Sequence, residues 1–559
     1  MPDAATIRSW CRCRISLPGH IRLVLFLLVL TGATGARAQE WTQGQRYARA
    51  AGEADTIAPP VMREFRAAWL ATVSNIDWPS RPGLSVDSMK AELRVLLDAA
   101  ARARLNAIIF QVRPSADALY ASKLEPWSYY LTGVQGRAPA PSWDPLRWAI
   151  AESHARGMEL HAWFNPYRSR HPSDKSPRAA PSHVSRAHPT WNRRYGTMQW
   201  MDPGVPAVRQ RTVNVILDVV QRYDVDGVHM DDYFYPYPER TRRGRRIPFP
   251  DDASYRAYQR RGGTLARDDW RRANVDGLVG EIYEKVKATK PWVKVGISPF
   301  GIWRPGYPET VSGFDQYEEL YADARLWLNK GWIDYFTPQL YWKLGAPQQP
   351  YGDLLAWWRG ENLLARHVWP GNYTGRASAR RNVTWPVSEI IDQVQETRRQ
   401  LGALSGNVHF PLNAFVANTD ALVDRMTAGV YAEPALIPAS PWLSSGESAV
   451  PAIRVDSTAD GIQLTIEPSV FSTAAVPAPP ATGDATRTTR PTPPRDHVSD
   501  ARWWVVRARY ADAWSVWIAD ASTTMVRLAN GVDGAMPAYV TVSAIDRSGQ
   551  ESAAKRVSW

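Results

Sequence analysis

The sequence predicts an eight-stranded (β/α)8 TIM barrel followed by a small all-β sandwich. Three observations carry this expectation. A chain of 559 residues needs more than one core. Eight short β-rich runs alternate with amphipathic helical segments across 61–443. Beyond a proline-rich connector the pattern changes to period-two alternation.

The runs are FRAAWLATV (65–73), NAIIFQV (106–112), MELHAWFN (158–165), VDGVHM (225–230), VKVGIS (293–298), IDYFTPQLYW (333–342), HVWPGNY (367–373) and NVHFPL (407–412). Eight parallel units close a barrel. A doubly wound open sheet shares the alternation, but no glycine-rich phosphate loop follows the first run. Between the runs, Asp144-Pro145 ahead of 146–156 and Gly157 supplies an N-cap, a first-turn proline and a glycine stop. Met89, Leu93, Leu96, Leu97 and Ala100 recur at helical spacing behind a candidate cap, Asp87, and Val275, Leu278, Val279, Ile282 and Val286 repeat the pattern. Residues 419–426 suit a closing helix.

The connector YAEPALIPASPWL (431–443) marks a boundary, because its prolines block regular structure. In 444–559, a strand near 462–466 and the runs ARWWVVRARY, AWSVWIAD and PAYVTVSAID suit an antiparallel sandwich that resembles a fibronectin type III domain. The Pro, Ala and Thr-rich stretch 474–494 is expected to be a disordered loop.

Residues 1–38 read as a signal peptide. Arg8, Arg12, Arg14 and Arg22 precede an apolar run over 23–30, and Ala36-Arg37-Ala38 has the small-x-small pattern of a cleavage site. An uncleaved anchor would need a longer apolar run. A polar linker, 39–60, follows. Cleavage removes Cys11 and Cys13, so the mature chain has no disulfide, thiol nucleophile or cysteine ligand. It also lowers the net charge from +12 to +8. That excess suits an anionic envelope, and no nucleic-acid reader motif accompanies it. The arginines of 240–246 read as a solvated loop.

In such a barrel the chemistry lies where strands run into loops. The fourth run ends His229-Met230-Asp231-Asp232-Tyr233, and alternation puts His229 and Asp231 on one face, with Asp232 opening the loop. Paired acids there could instead cap a helix or hold a cation, but the following YFYPYP cannot start a helix at once and would wall a groove. Asn75 and Asp77, Gln111, Arg113 and Asp117, and Asn165, Tyr167 and Arg168 stand at the first three junctions. Ser298 and Trp303, Gln339, Tyr341 and Trp342, Asn372 and Tyr373, and Asn413 stand at later ones. Amides, arginines and carboxylates interleaved with flat rings match the hydroxyl edges and C–H faces of a sugar. Most of the 26 tryptophans should be structural. His161 and His229 lie inside strands, where a histidine is more often a hydrogen-bonded core residue, and no metal-ligand spacing such as HExxH occurs. No metal or cofactor is expected.

The motifs REFRAAWLATVSNIDWP, FQVRPSADALY, EPWSYYLTG, ELHAWFNPYR, WMDPG, VDGVHMDDYFYPY, GISPFGIWR and GWIDYFTPQLYW, with the closing YAEPALIPASPWL, resemble the bacterial glycosyl hydrolase-like family ten over 63–443. The resemblance implies an exported TIM-barrel glycosidase of the cell envelope acting on peptidoglycan glycan strands, in the periplasm or secreted. The insert ERTRRGRRIP is longer than the family pattern.

Glycoside cleavage usually needs two carboxyl groups across the scissile bond. VDGVHMD is similar to the DGxxxD of amylase-like fourth strands, which implies Asp231 as nucleophile or base with His229 beside it. Asp232 is its companion, and among the loop acids Asp77, Asp117 and Asp315 the second carboxylate is placed on Asp117. Substrate contacts are expected from His229, Asp77, Arg113, Asn165, Tyr167, Arg168, Tyr233, Trp303, Gln339, Tyr341 and Trp342. The rival readings are a non-catalytic glycan-binding barrel, which would lack a spaced acid pair, and an envelope scaffold, which would expose an apolar patch on its sandwich. A peptidase or amidase would need a metal triad or an activated serine.

Overall fold

The computed structural model describes residues 58–378, 385–443, 448–458, 461–467, 501–511, 513–530 and 536–559. The expected signal peptide 1–38, residues 39–57 of the linker and the loop 474–494 lie outside them.

The barrel strands are β1 (Phe65–Leu70), β2 (Ala107–Arg113), β3 (Glu159–Phe164), β4 (Gly227–Met230), β5 (Lys294–Ile297), β6 (Tyr335–Phe336), β7 (His367–Val368, resumed at Gly371–Asn372) and β8 (Gly406–His409). Consecutive strands pair in parallel, and β8 returns to β1 with Val408 opposite Ala67, closing the ring. Every strand overlaps one of the predicted runs, with β2 running one residue past the end of its run and β8 starting one residue before. Helices α1 (Val86–Arg102), α2 (Pro145–His154), α3 (Pro206–Arg222), α4 (Arg267–Thr289), α5 (Ala324–Lys330), α6 (Tyr351–Gly360), α7 (Val387–Leu401) and α8 (Leu422–Ala428) follow the eight strands in turn.

The helices form where their apolar stripe meets the strands. Met89, Leu93, Leu96, Leu97 and Ala100 of α1 are all buried. Its cap is Ser85, whose side chain accepts from the Ser88 amide, so the expected cap Asp87 lies inside the first turn. Asp144 caps α2 by accepting from the Arg147 amide, as expected.

The lumen is filled by aromatic rings and a directed polar chain. Phe65 stacks on Trp369 at 4.0 Å between ring centroids, and Ala67, Trp69, Ile109, Trp163, Tyr335 and Val408 join them. Glycines on neighbouring strands make the room. A methyl group at Gly296 would stand 1.9 Å from the Tyr335 ring, and one at Gly227 would stand 2.7 Å from His161. The indole of Trp69 donates to His229 Nε2 (3.1 Å). An indole only donates, so the proton of His229 sits on Nδ1 and goes to the Tyr335 hydroxyl at 2.9 Å. That hydroxyl donates to His161 Nδ1 (2.8 Å), and His161 Nε2 donates to Glu159 (2.9 Å), which also accepts from Lys294 (2.7 Å).

Among the described residues, the strands of the C-terminal region all pair antiparallel. Strands β9 (Ala452–Thr458), β10 (Gly461–Glu467) and β13 (Met525–Ala529) form one sheet. Strands β11 (Ala501–Arg509), β12 (Trp514–Asp520), β14 (Tyr539–Asp546) and β15 (Lys555–Val557) form the other. Alternation divides β11: Trp504, Val506 and Ala508 join Ile462, Leu464 and Ile466 in the core, while Trp503 and Val505 pack with Leu436, Val516 and Ile545. The second face rests on the barrel floor, where strands begin. There Arg502 pairs with Asp226 (3.0 Å), Arg547 with Asp224 (2.8 Å), and Arg63 donates to the Gly549 carbonyl (2.6 Å). Among the described residues no helix is long and apolar enough to cross a membrane.

Candidate active site

Strand β4 delivers two adjacent acids to the opposite end of the barrel, both nearly buried. Asp231 Oδ2 accepts from Asn165 Nδ2 (2.5 Å) and from the Trp163 indole (3.2 Å), and Oδ1 accepts from the Tyr233 amide (3.1 Å). The polarity of this arrangement is set from further back. Gln111 Oε1 accepts from the backbone amides of Thr72 and Val73, which turns its NH2 toward Asn165 Oδ1 (2.6 Å). Arg168 also donates to Asn165 Oδ1 (2.7 Å), so the Asn165 NH2 must face Asp231. Each donor in the chain favours an ionised Asp231.

Burial nevertheless raises Asp231 above the ordinary carboxylate value, against the charge of Arg168 and the three donors. Burial and the negative charge of Asp231 push Asp232 further, up to about 7, although it accepts from the Tyr237 hydroxyl and the Gln339 amide. Near neutrality Asp232 therefore still holds its proton in part, beside Asp231. Proton transfer needs a carboxyl that keeps its proton, and nucleophilic attack needs an ionised one.

Rings surround the acids. Tyr341 lies at 5.1 Å from Tyr373 and stacks with Phe410 at 6.2 Å. Burial and the charge of Asp232 push its hydroxyl well above the usual tyrosine value. Tyr237 contacts Tyr233 (5.5 Å) and Phe314 (5.2 Å), and Phe300 meets Trp342 edge-on. The half-buried Tyr233, Gln339, Tyr341 and Trp342 present surface at this mouth, with Arg168 lying over the Tyr233 ring.

Several expected contacts prove to be supports. Arg113 has no exposed surface; it holds Glu125 with two bonds of 2.7 and 2.6 Å and donates to the carbonyls of Asn165 and Pro166. Asn165 is also fully buried and orients Asp231 from behind. Tyr167 is a core ring. His229 lies below the mouth, bonded to Trp69, Tyr335 and Ser298, and burial keeps it neutral. Trp303 stacks on Trp357 at 5.8 Å and donates to Asp323, away from the acids. Asp77 uses both oxygens on the amides of Ala71 and Asn413, tying the first loop to the eighth.

Asp117, expected as the second carboxylate, is pushed up to about 7 by burial first and then by the charges of Asp174 and Glu125, while it accepts from the amides of Ser115 and Tyr129 and from Gln135. The acid that acts on Asp231 is its neighbour. Trp163 and Tyr237 were missed as partners of the pair. Counting back by two from Asn165 would have found Trp163, whereas the turn that returns Tyr237 to Asp232 leaves no sequence signal. Among the described residues no three side chains of His, Cys, Asp or Glu converge as a metal site would require.

The family profile described as Glycosyl hydrolase-like 10 matches residues 64–387. Glycosyl hydrolase YngK of Bacillus subtilis (strain 168) is 40% identical over 416 residues, covering 73% of this chain and 80% of its own length. Glycosyl hydrolase DigH of Escherichia coli (strain K12) is 37% identical over 314 residues, covering 53% and 69%. A solved structure, α-L-fucosidase isoenzyme 2 from Paenibacillus thiaminolyticus, aligns with a TM-score of 0.44 at 11% identity, covering 69% of this chain and 52% of that one.

Proposed function

Because the chain belongs to the glycosyl hydrolase-like 10 family and is a glycoside hydrolase, we propose that it is exported and cleaves glycosidic bonds in the glycan strands of peptidoglycan, using Asp231 and Asp232. The observation that carries the catalytic reading is the pair of adjacent buried acids at the end of β4, of which Asp232 is pushed up to about 7 by burial and by Asp231. Asp232 gives its proton to the departing glycosidic oxygen. Asp231 attacks the anomeric carbon or activates the water that does so, and the anomer released distinguishes the two. Tyr341, Tyr233 and Trp342 stack on sugar faces while Gln339 and Arg168 meet hydroxyl groups. Export rests on the apolar run 23–30 and the Ala36-Arg37-Ala38 site, and the periplasm or the cell surface is where such a substrate is met.

The test is incubation with purified glycan strands, with and without stem peptides, followed by mass spectrometry of the fragments. Cleavage that disappears in Asp231→Asn and Asp232→Asn supports the reading. Binding without cleavage by the native chain would make this a glycan-binding barrel instead.

A further inference from the structure

The turn that follows β4 brings Tyr237 back onto the acid that opens it. Pro236 and Pro238 restrict the backbone on either side. One residue further on, the Glu239 amide donates to the Tyr195 hydroxyl (2.9 Å), which itself donates to the Ile247 carbonyl (2.5 Å), so the far end of the turn is anchored to the strand Asn192–Tyr195. The Tyr237 ring is held between Tyr233, at 5.5 Å between centroids, and Phe314, at 5.2 Å. Phe314 belongs to the loop from β5 to α5 and meets Phe300 of that loop at 5.1 Å. In this clamp the Tyr237 hydroxyl donates to Asp232 Oδ2.

Burial first, and then the charge of Asp232, push that hydroxyl well above the usual tyrosine value, so it keeps its proton and remains a donor. With Oδ2 accepting, the proton of the neutral carboxyl sits on Oδ1. When Asp232 passes this proton to the glycosidic oxygen, the bond from that oxygen to the anomeric carbon breaks with its electron pair going to the oxygen, and Asp232 becomes a carboxylate in a buried site. The charged and titratable groups around it are Asp231, Arg168, which lies over the Tyr233 ring and lowers Asp231, and the hydroxyls of Tyr233 and Tyr341, both kept neutral by burial and by Asp232. The side-chain donors on Asp232 itself are Tyr237 and the Gln339 amide, and the latter is shared with the Ser298 carbonyl (2.9 Å). A hydrogen bond to a neutral carboxyl becomes charge-assisted once the proton has left, and roughly doubles in strength.

We propose that Tyr237 is the positioning residue of the acid: its hydroxyl holds Asp232 for proton transfer and stabilises the carboxylate that transfer leaves. It acts through Asp232 and not on the sugar. The inference deepens the reading of the preceding subsection and rests on it for the assignment of Asp232 as the acid.

Tyr237→Phe keeps the ring and removes the hydroxyl alone. The full chain and this variant are compared on peptidoglycan glycan oligosaccharides and on 2,4-dinitrophenyl glycosides of the same oligosaccharides, whose leaving group departs without a proton. On the natural bond kcat/KM should fall by about tenfold or more, the effect of losing a hydrogen bond to a charged group, through kcat and with KM within about twofold. On the activated glycoside the loss should stay within about twofold, because no acid is needed there. Without the donor Asp232 holds its proton to higher pH, so the alkaline limb of kcat/KM should move up by about one pH unit. In an Asp232→Asn background, Tyr237→Phe should cost nothing further. Equal losses on the two substrates, an alkaline limb that stays in place, or a further loss in the Asp232→Asn background overturns the role of Tyr237. Asp232→Asn that keeps its activity on the natural bond, or a native chain that cleaves neither substrate, overturns the preceding reading and this one with it, whereas an inactive Asp232→Asn beside an unimpaired Tyr237→Phe overturns this one alone.

Discussion

Replacing Asp232 with Asn should make the protein more stable at alkaline pH and far less active. In the folded chain burial and Asp231 push this acid up to about 7, from an ordinary 3.8. Below pH 3.8 both folded and unfolded chains carry the proton, so the group leaves stability unchanged there. Between 3.8 and about 7 the unfolded chain releases the proton while the folded chain keeps it, and folding loses roughly 1.4 kcal/mol per pH unit. Above that window the loss levels off at up to about 4 kcal/mol. Asparagine has no proton to release, so the stability advantage of Asp232→Asn should grow by up to about 4 kcal/mol between pH 4 and pH 8. Urea unfolding of both chains at pH 4.5, 6 and 8 measures it. In parallel, kcat/KM should fall by about 10²- to 10⁴-fold, the usual contribution of a general acid. Stability curves that stay parallel across this range would show Asp232 ionising at its ordinary pH, and it could not then be the proton donor.

The native enzyme should lose activity as pH rises through about 7, where Asp232 gives up its proton, with a pH profile of kcat/KM as the check. Asp231→Asn should lower kcat/KM by at least about 10²-fold while glycan affinity and the thermal midpoint change little, because relief of the buried charge offsets one lost acceptor; retention of more than a tenth of the activity would remove Asp231 from the chemistry. Gly296→Ala should destabilise the barrel by about 1–3 kcal/mol or more, since its methyl group would enter the Tyr335 ring, and a denaturant titration reads this directly. Arg113→Met should cost up to about 3–5 kcal/mol by leaving the buried Glu125 only the longer contact of 3.7 Å to Arg211, with kcat per folded molecule largely kept.

The barrel was legible because each strand is buried on both faces and writes a short apolar run, while each helix writes a stripe. FRAAWL and NAIIFQV are complete signals of this kind. The site was legible at β4, where two acids follow an otherwise apolar strand. What position in sequence does not encode is height along the barrel axis. Arg113, Tyr167 and His229 stand near strand ends, yet all three are sealed off by loops that cross above them or by neighbours in the lumen. The partners of Asp117 depend on a loop path that brings Gln135 and the Tyr129 amide to it. No local pattern predicts such a return. Trp163 was recoverable from alternation alone, because it shares a face with Asn165.

The sandwich grips the barrel at the floor, through Arg502 on Asp226, Arg547 on Asp224 and Arg63 on Gly549, while Asp231 and Asp232 open at the other end. The molecule is thus built like a chisel, with handle and edge at opposite ends. The acid pair therefore opens clear of the C-terminal region, and a glycan can lie across the mouth in either direction without meeting the handle.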